Sequence, residues 1–222
     1  MPPPVEPPCR ARPGPVVVLL ALVLAAAGCT GGDSSADRER VQAATMRAED
    51  LTPEWRAGPP DTSFESEGDA SRFAQCLGRP EPKTVRTATM ASPTFQLGDA
   101  SRASSTVQTV KRVSIATDDF AALEGNRAVG CLRQRLQAQL DRQSTPGNAP
   151  QRIVVQRLPG IDVGQRTAAF RAVVTYPSGD AYLDVVNVQD DKLELSATFF
   201  NRSTPFPADF ERSVVAKMLA RA

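Results

Sequence analysis

Four thiols are the residues of this 222-residue chain with the widest chemical repertoire: Cys9, Cys29, Cys76 and Cys131. A thiol can be alkylated, oxidised to a disulfide, bound to a metal or used as a nucleophile. Nucleophilic use needs a base beside it, and the chain contains no histidine. Every Ser-His-Asp and Cys-His arrangement is therefore excluded, as is a zinc site built on imidazole. Two pairs of adjacent carboxylates remain, Asp118-Asp119 and Asp190-Asp191. Side chains of sequence neighbours diverge, so the first pair is expected to cap a helix and the second to make a turn. None of the four lysines has a serine three residues before it, and the chain has no G-x-S-x-G elbow, phosphate-cradling glycine loop or calcium loop. No catalytic residue, metal site or cofactor is expected.

Charge narrows the partners. The formal net charge is +1, and the first 28 residues carry Glu6, Arg10 and Arg12, so the remainder is neutral. Its arginines are scattered singly or in pairs. A nucleic-acid binder needs clustered positive charge to displace counterions from phosphates, and that class is rejected.

The N-terminal residues point to export. Arg10 and Arg12 precede an unbroken apolar run from Val16 to Ala27. Twelve helical residues span about 18 Å, which is short of the ~20 residues needed to cross a bilayer core. A short apolar run with a positive flank and small residues after it reads as a secretory signal. Ala26-Ala27-Gly28-Cys29 then resembles the bacterial lipoprotein signal, although that family most often has leucine where Ala26 stands. The resemblance implies cleavage before Cys29, with residues 1–28 removed and lipid chains attached to the Cys29 thiol. The alternatives are an ordinary cleaved signal with a chance cysteine, or an uncleaved anchor. Residues 29–37 are small and polar at first (Thr30 to Asp37 reads T-G-G-D-S-S-A-D) and are expected to form a flexible tether. The mature protein is then expected at the outer, extracytoplasmic face of the cell membrane, held through its lipid anchor.

With Cys9 cut away and Cys29 alkylated, Cys76 and Cys131 are left as an even pair facing an oxidising compartment. A Cys76–Cys131 disulfide is expected; the alternative is two buried free thiols packed as small hydrophobes.

The elements that must position these residues are read from periodicity. Helices are expected over Ala36–Asp50, Ala70–Leu77 with Asp69 as N-cap and Gly78 as terminator, Thr117–Leu123, Arg127–Arg142, and after Pro205 and Pro207. Strands are expected over Lys83–Met90, Ala103–Ile115, Ile153–Leu158, Gln165–Tyr176, Tyr182–Val188 and Leu193–Phe200, the last three as an antiparallel meander. In the final strand Leu193, Leu195, Ala197 and Phe199 alternate with Glu194, Ser196 and Thr198. Helices alternate too rarely with strands for a doubly wound parallel sheet. The expectation is one α+β domain over residues 38–222, a mostly antiparallel sheet of about six strands packed with helices as an αβα-type sandwich. Trp55, Phe170, Tyr176, Tyr182, Phe199 and Phe200 are expected in the core; the functional alternative is that some line an apolar cleft between sheet and helices.

The order of Asp50-Leu51-Thr52-Pro53-Glu54-Trp55, Cys76-Leu77-Gly78, Ser92-Pro93-Thr94-Phe95, Cys131-Leu132 and Thr204-Pro205-Phe206-Pro207 resembles a group of actinobacterial exported proteins. These are lipoproteins and the extracytoplasmic sensor-type domains of membrane kinases, with a PsbP-like α/β sandwich. The resemblance implies a non-enzymatic domain that binds an envelope lipid, a small molecule or a membrane protein. It supplies no functional residues. A structural or scaffolding lipoprotein acting through protein contacts is the first alternative, and a hydrolase using carboxylates alone is the second.

Overall fold

The computed structural model describes residues 35–59, 67–80, 82–144 and 149–222. The expected signal, Cys29 and most of the tether lie outside the described residues. The compact unit runs from Asp33 to Ala222.

Its first element is the helix α1, Ser35–Ala44, followed by a single 3-10 turn at Ala48–Asp50. The helix therefore opens on residues expected in the tether and ends well before Asp50. Asp37, buried in its first turn, accepts an ion pair from Lys192 at 3.1 Å, and this anchors the start of the helix to the sheet. A two-residue strand β1, Arg56–Ala57, comes next. α2, Glu67–Leu77, starts two residues before the expected Asp69 cap. It ends as its sequence dictates: Gly78 takes φ +74°, and the Arg79 N–H returns to the Ala74 carbonyl at 2.8 Å.

The expected strand from Lys83 divides into one helical turn, α3, Pro82–Val85, and a strand, β2, Arg86–Ala91. Phe95–Leu97 forms β3, three residues long, and Ser101–Val110 forms β4. Two helices follow, α4 at Val113–Glu124 and α5 at Arg127–Gln143. Thr117 and the Asp118-Asp119 pair thus lie inside α4 and do not cap it. The chain then runs through β5, Arg152–Arg157; β6, Arg166–Tyr176; β7, Gly179–Asp190; β8, Leu193–Asn201; and α6, Ala208–Leu219. Both hairpins of the meander turn on two residues, Pro177-Ser178 and Asp191-Lys192. Asp191 adopts φ 52°.

All strands join one eight-stranded antiparallel sheet in the order β1-β3-β4-β8-β7-β6-β5, with β2 also on β4. The chain leaves the sheet after β4, crosses one face with α4 and α5, and resumes at the far edge with β5. It winds back until β8 closes on β4. This is an α+β sandwich, as expected, with β1 and β3 as additional short strands.

Side chains alternate between two covered faces. On the first, Leu193, Leu195, Ala197 and Phe199 join Val107, Val186 and Val188 beneath α1 and α6, which contribute Val41, Val214, Val215 and Met218. Trp55 stacks on Phe210 (6.3 Å between centroids), and Phe206 lies 5.4 Å from Phe210. On the second face, Phe170 and Ala168 pack on Phe120 and Ala128 of α4 and α5, and Ala172 and Val174 pack on Leu136.

The first face also buries a charged group. Asp184 accepts two hydrogen bonds from Arg171, at 2.8 and 2.6 Å, and Arg171 also donates to the Phe206 carbonyl. Glu211 of α6 faces this pair with no solvent exposure. Burial, then the neighbouring Asp184 carboxylate, pushes its carboxyl from 4.5 up to about 9, with Arg171 opposing the rise. Glu211 thus keeps its proton in the fold at neutral pH but loses it on unfolding. Its contribution to stability is complete below pH ~4.5 and disappears as pH climbs through about 9. Glu211→Gln is expected to match the parent in thermal unfolding at pH 5 and to exceed it at pH 8. Parallel stability–pH curves for the two proteins would overturn this assignment.

Candidate functional site

The second face is not filled along its whole length. α2 packs on α5 rather than on the sheet, and Cys76 of α2 is disulfide-bonded to Cys131 of α5 with Cα atoms 5.8 Å apart. Arg135 of α5 also stacks over the Phe73 ring of α2 at 5.4 Å. α2 is therefore an outer wall, held to α5 by a covalent clip. Between this wall and strands β4, β8 and β7 lies a cleft of about 890 Å³.

The cleft has two unlike sides. Ala70, Phe73, Ala74 and Leu77 of α2, with Leu132 and Leu136 of α5, supply an apolar wall. Val185 and Leu183 of β7 and Phe170 of β6 continue it on the sheet. The floor under β4 and β8 is hydroxyl-bearing, because the antiparallel register pairs Ser104 with Thr198 and Thr106 with Ser196. These are the alternate residues of β8, which in an uncovered sheet would meet bulk water.

At one end the register pairs Gln108 with Glu194. The Gln108 Nε2 donates a hydrogen bond to Glu194 Oε2, and Asp119 of α4 lies beside it. Burial pushes the Glu194 carboxyl from 4.5 up to about 7, the Asp119 charge adds to the rise, and the Gln108 hydrogen bond and Arg86 resist it. Asp119 is itself held by Arg79, Nε to Oδ1 2.5 Å, and Arg79 follows the end of α2. The ion pair thus ties this end of the wall to α4.

At the other end stand Arg102 and Arg202, with Phe200, Tyr176 and Asp180. Arg102 lies opposite Phe200 in the ladder, with its guanidinium 6.0 Å above the ring centroid. The Arg202 N–H bonds to the Ala100 carbonyl, which places Arg202 one pleat beyond Phe200 on the same side of the sheet. No carboxylate pairs with either guanidinium: the ion pairs of the described residues include neither, and Asp180 reaches neither.

Of the aromatic residues singled out in the sequence, Phe170, Tyr176 and Phe200 line the cleft, whereas Trp55 and Phe199 belong to the opposite core. Tyr182 belongs to neither. Asp190 pairs with Arg40 at 2.9 Å, away from the cleft. Sequence reasoning missed Glu194, Gln108, Arg102 and Arg202. The usable signal was the apolar content of both faces of β6, which already implied a covered second face. Among the described residues no group of three or more carboxylates or thiols is placed to hold a metal ion.

No family model and no curated protein matches the chain. Among solved structures, an uncharacterized protein from Mycobacterium smegmatis is similar at a TM-score of 0.43 and 13% identity, over 83% of this chain and 97% of that one.

Proposed function

We propose that the protein is an exported binding module, anchored to the outer face of the cell membrane through lipid on Cys29, which holds a small ligand in the cleft between its sheet and α2. The observation that carries this reading is the cleft itself. Small-molecule sites are concave, mostly apolar, about 300–1,000 Å³ in volume, and carry a few convergent polar groups. A space of about 890 Å³ with one apolar side, one hydroxyl-bearing side and charged groups at both ends has these properties. The same reading places the chain with the actinobacterial sensor-type domains of PsbP-like fold, on the order of the short motifs that run from Asp50 to Pro207.

Most residues of those motifs are structural, with Leu77 and Leu132 also lining the apolar wall of the cleft. Asp50 and Trp55 meet Arg221 and Phe206 at one corner of the first core, and Cys76 meets Cys131 at the clip. A resemblance carried by such residues concerns the scaffold, and leaves the ligand to the residues of the cleft. The carboxylate-only alternative would need Asp119 and Glu194 across a substrate, about 5–9.5 Å apart for glycoside hydrolysis. They stand instead side by side, with the Asp119 charge adding to the rise of the Glu194 carboxyl.

The test has two arms. Native mass spectrometry of protein purified from membranes is expected to reveal a co-purified small molecule that is lost from the Ser104→Phe variant, whose ring would occupy the floor. Equal recovery of the molecule with that variant would overturn the cleft as the site. Metabolic labelling with radioactive palmitate is expected to mark the parent and not Cys29→Ala; an unlabelled parent would overturn the anchor.

A further inference from the structure

We infer that the cleft binds a single-chain anionic amphiphile, with its acidic head on Arg102 and Arg202 and its hydrocarbon chain along the apolar wall. This rests on the binding reading above and names the ligand class for the same site.

Charge places the head. Arg102 and Arg202 are diagonal neighbours on one face of the β4–β8 ladder, at the spacing where side chains on adjacent strands interact. Two like charges at that spacing repel, and among the described residues neither has a carboxylate partner to offset the repulsion. An anion between them relieves it and gains charge-assisted hydrogen bonds from two guanidinium forks. Around that position stand Phe200, Tyr176 and the carboxylate-bearing Asp180. At the opposite end stand Glu194, its carboxyl pushed up to about 7 by burial, and Asp119, with Arg79 and Arg86 beside them. Arg79 is matched there by Asp118 and Asp119, so the positive charge without an ion-pair partner among the described residues stands at the arginine end.

Length and lining place the tail. From Glu194 to Phe200 along β8 is six residues, or about 20 Å at ~3.3 Å per residue. A bilayer core of ~30 Å contains two layers of acyl chains, so one chain as it lies in a leaflet reaches about 15 Å. One chain and its head therefore match the distance between the two polar ends. The chain lies on Phe73, Leu77, Leu132 and Leu136, with Val185 beneath it. The hydroxyls of Ser104, Ser196 and Thr198 leave the other side of the groove open to water or to polar substituents on the ligand.

The experiment compares four twelve-carbon probes, each below its micelle concentration, by calorimetric titration of the folded protein: dodecanoate, dodecyl phosphate, dodecanol and dodecyltrimethylammonium. Both anions are expected to bind at least ~10-fold more tightly than dodecanol, and the cation more weakly than dodecanol. The ratio of dodecanoate to dodecyl phosphate then states which acid the site prefers. Arg102→Gln with Arg202→Gln is expected to abolish the anion advantage and leave dodecanol unchanged, while Ser104→Phe weakens all probes together. Equal affinity for dodecanol and dodecanoate, or no binding of any probe, overturns this inference and leaves the cleft reading to its own test. Binding of the probes that Ser104→Phe does not alter overturns both. Should Ser104→Phe fold poorly, hydrogen exchange of the parent serves instead: dodecanoate is expected to slow exchange in α2, α5 and β8, and slowing confined to α1 and α6 counts against the cleft.

Discussion

Arg221→Ala is expected to lower the unfolding free energy by about 3 kcal/mol, although the residue is the last but one of the chain. Terminal residues are usually dispensable. Here the Arg221 guanidinium is bidentate to Asp50, Nη1 to Oδ1 at 2.5 Å and Nη2 to Oδ2 at 2.8 Å, and donates to the carbonyls of Ala43 and Thr45 at 2.9 and 3.1 Å. The Asp50 side chain is only 1% exposed and accepts one further hydrogen bond, from the Arg47 N–H. Removing the arginine leaves a buried carboxylate with a single donor, and the penalty for an uncompensated buried charge exceeds the value of the intact pair. The loss corresponds to roughly 6–12 °C in midpoint for a domain of this size. A double-mutant cycle with Asp50→Ala, read by urea unfolding, is expected to give a coupling of ~1 kcal/mol or more. Additive effects, or a single-variant loss under ~1 kcal/mol, would make the C-terminal tie incidental.

Replacing both Cys76 and Cys131 by alanine is expected to remove about 4 kcal/mol, because the bridge closes a loop of 55 residues in the unfolded chain. A second effect is expected to be local. Since α2 packs on α5 and not on the sheet, loss of the clip frees the wall of the cleft while both cores remain intact. Amide exchange in α2 is then expected to rise by more than the global loss explains, with β6–β8 following the global value. Equal protection of α2 and α5 in the double variant would show that packing alone holds the wall.

Some of this architecture follows from period and punctuation alone. The alternation of Leu193 to Phe199 places those residues on one face because successive strand side chains must point oppositely. The α5 stripe of Leu132, Leu136 and Leu140 meets the sheet because residues three and four apart share a helix face. Pro177-Ser178 and Asp191-Lys192 set the meander because they break strands where a tight turn is possible.

Other elements exist only through their partners. Val113 and Ile115 are β-branched and read as the end of a strand, yet they open α4, where Ile115 and Ala116 pack on Val110. Burial of that contact outweighs a propensity difference of a few tenths of a kcal/mol. β3 is three residues long and is a strand only because Phe95, Gln96 and Leu97 find Ala103, Arg102 and Ser101 across a turn. Three residues carry too little pattern to be recognised in isolation.

The sequence by itself determined the chemistry that is possible: four thiols, no imidazole, a net charge of only +1, and enough alternating apolar segments for an antiparallel sheet under helices. Only the tertiary structure decided that Glu194, Ser196 and Thr198 face a cleft rather than solvent, and that Arg102 and Arg202 stand together at its end. Periodicity specifies which side of a strand a residue occupies. For β8, what covers that side depends on α2, a helix more than a hundred residues away in sequence that packs on α5 and is clipped to it by a disulfide.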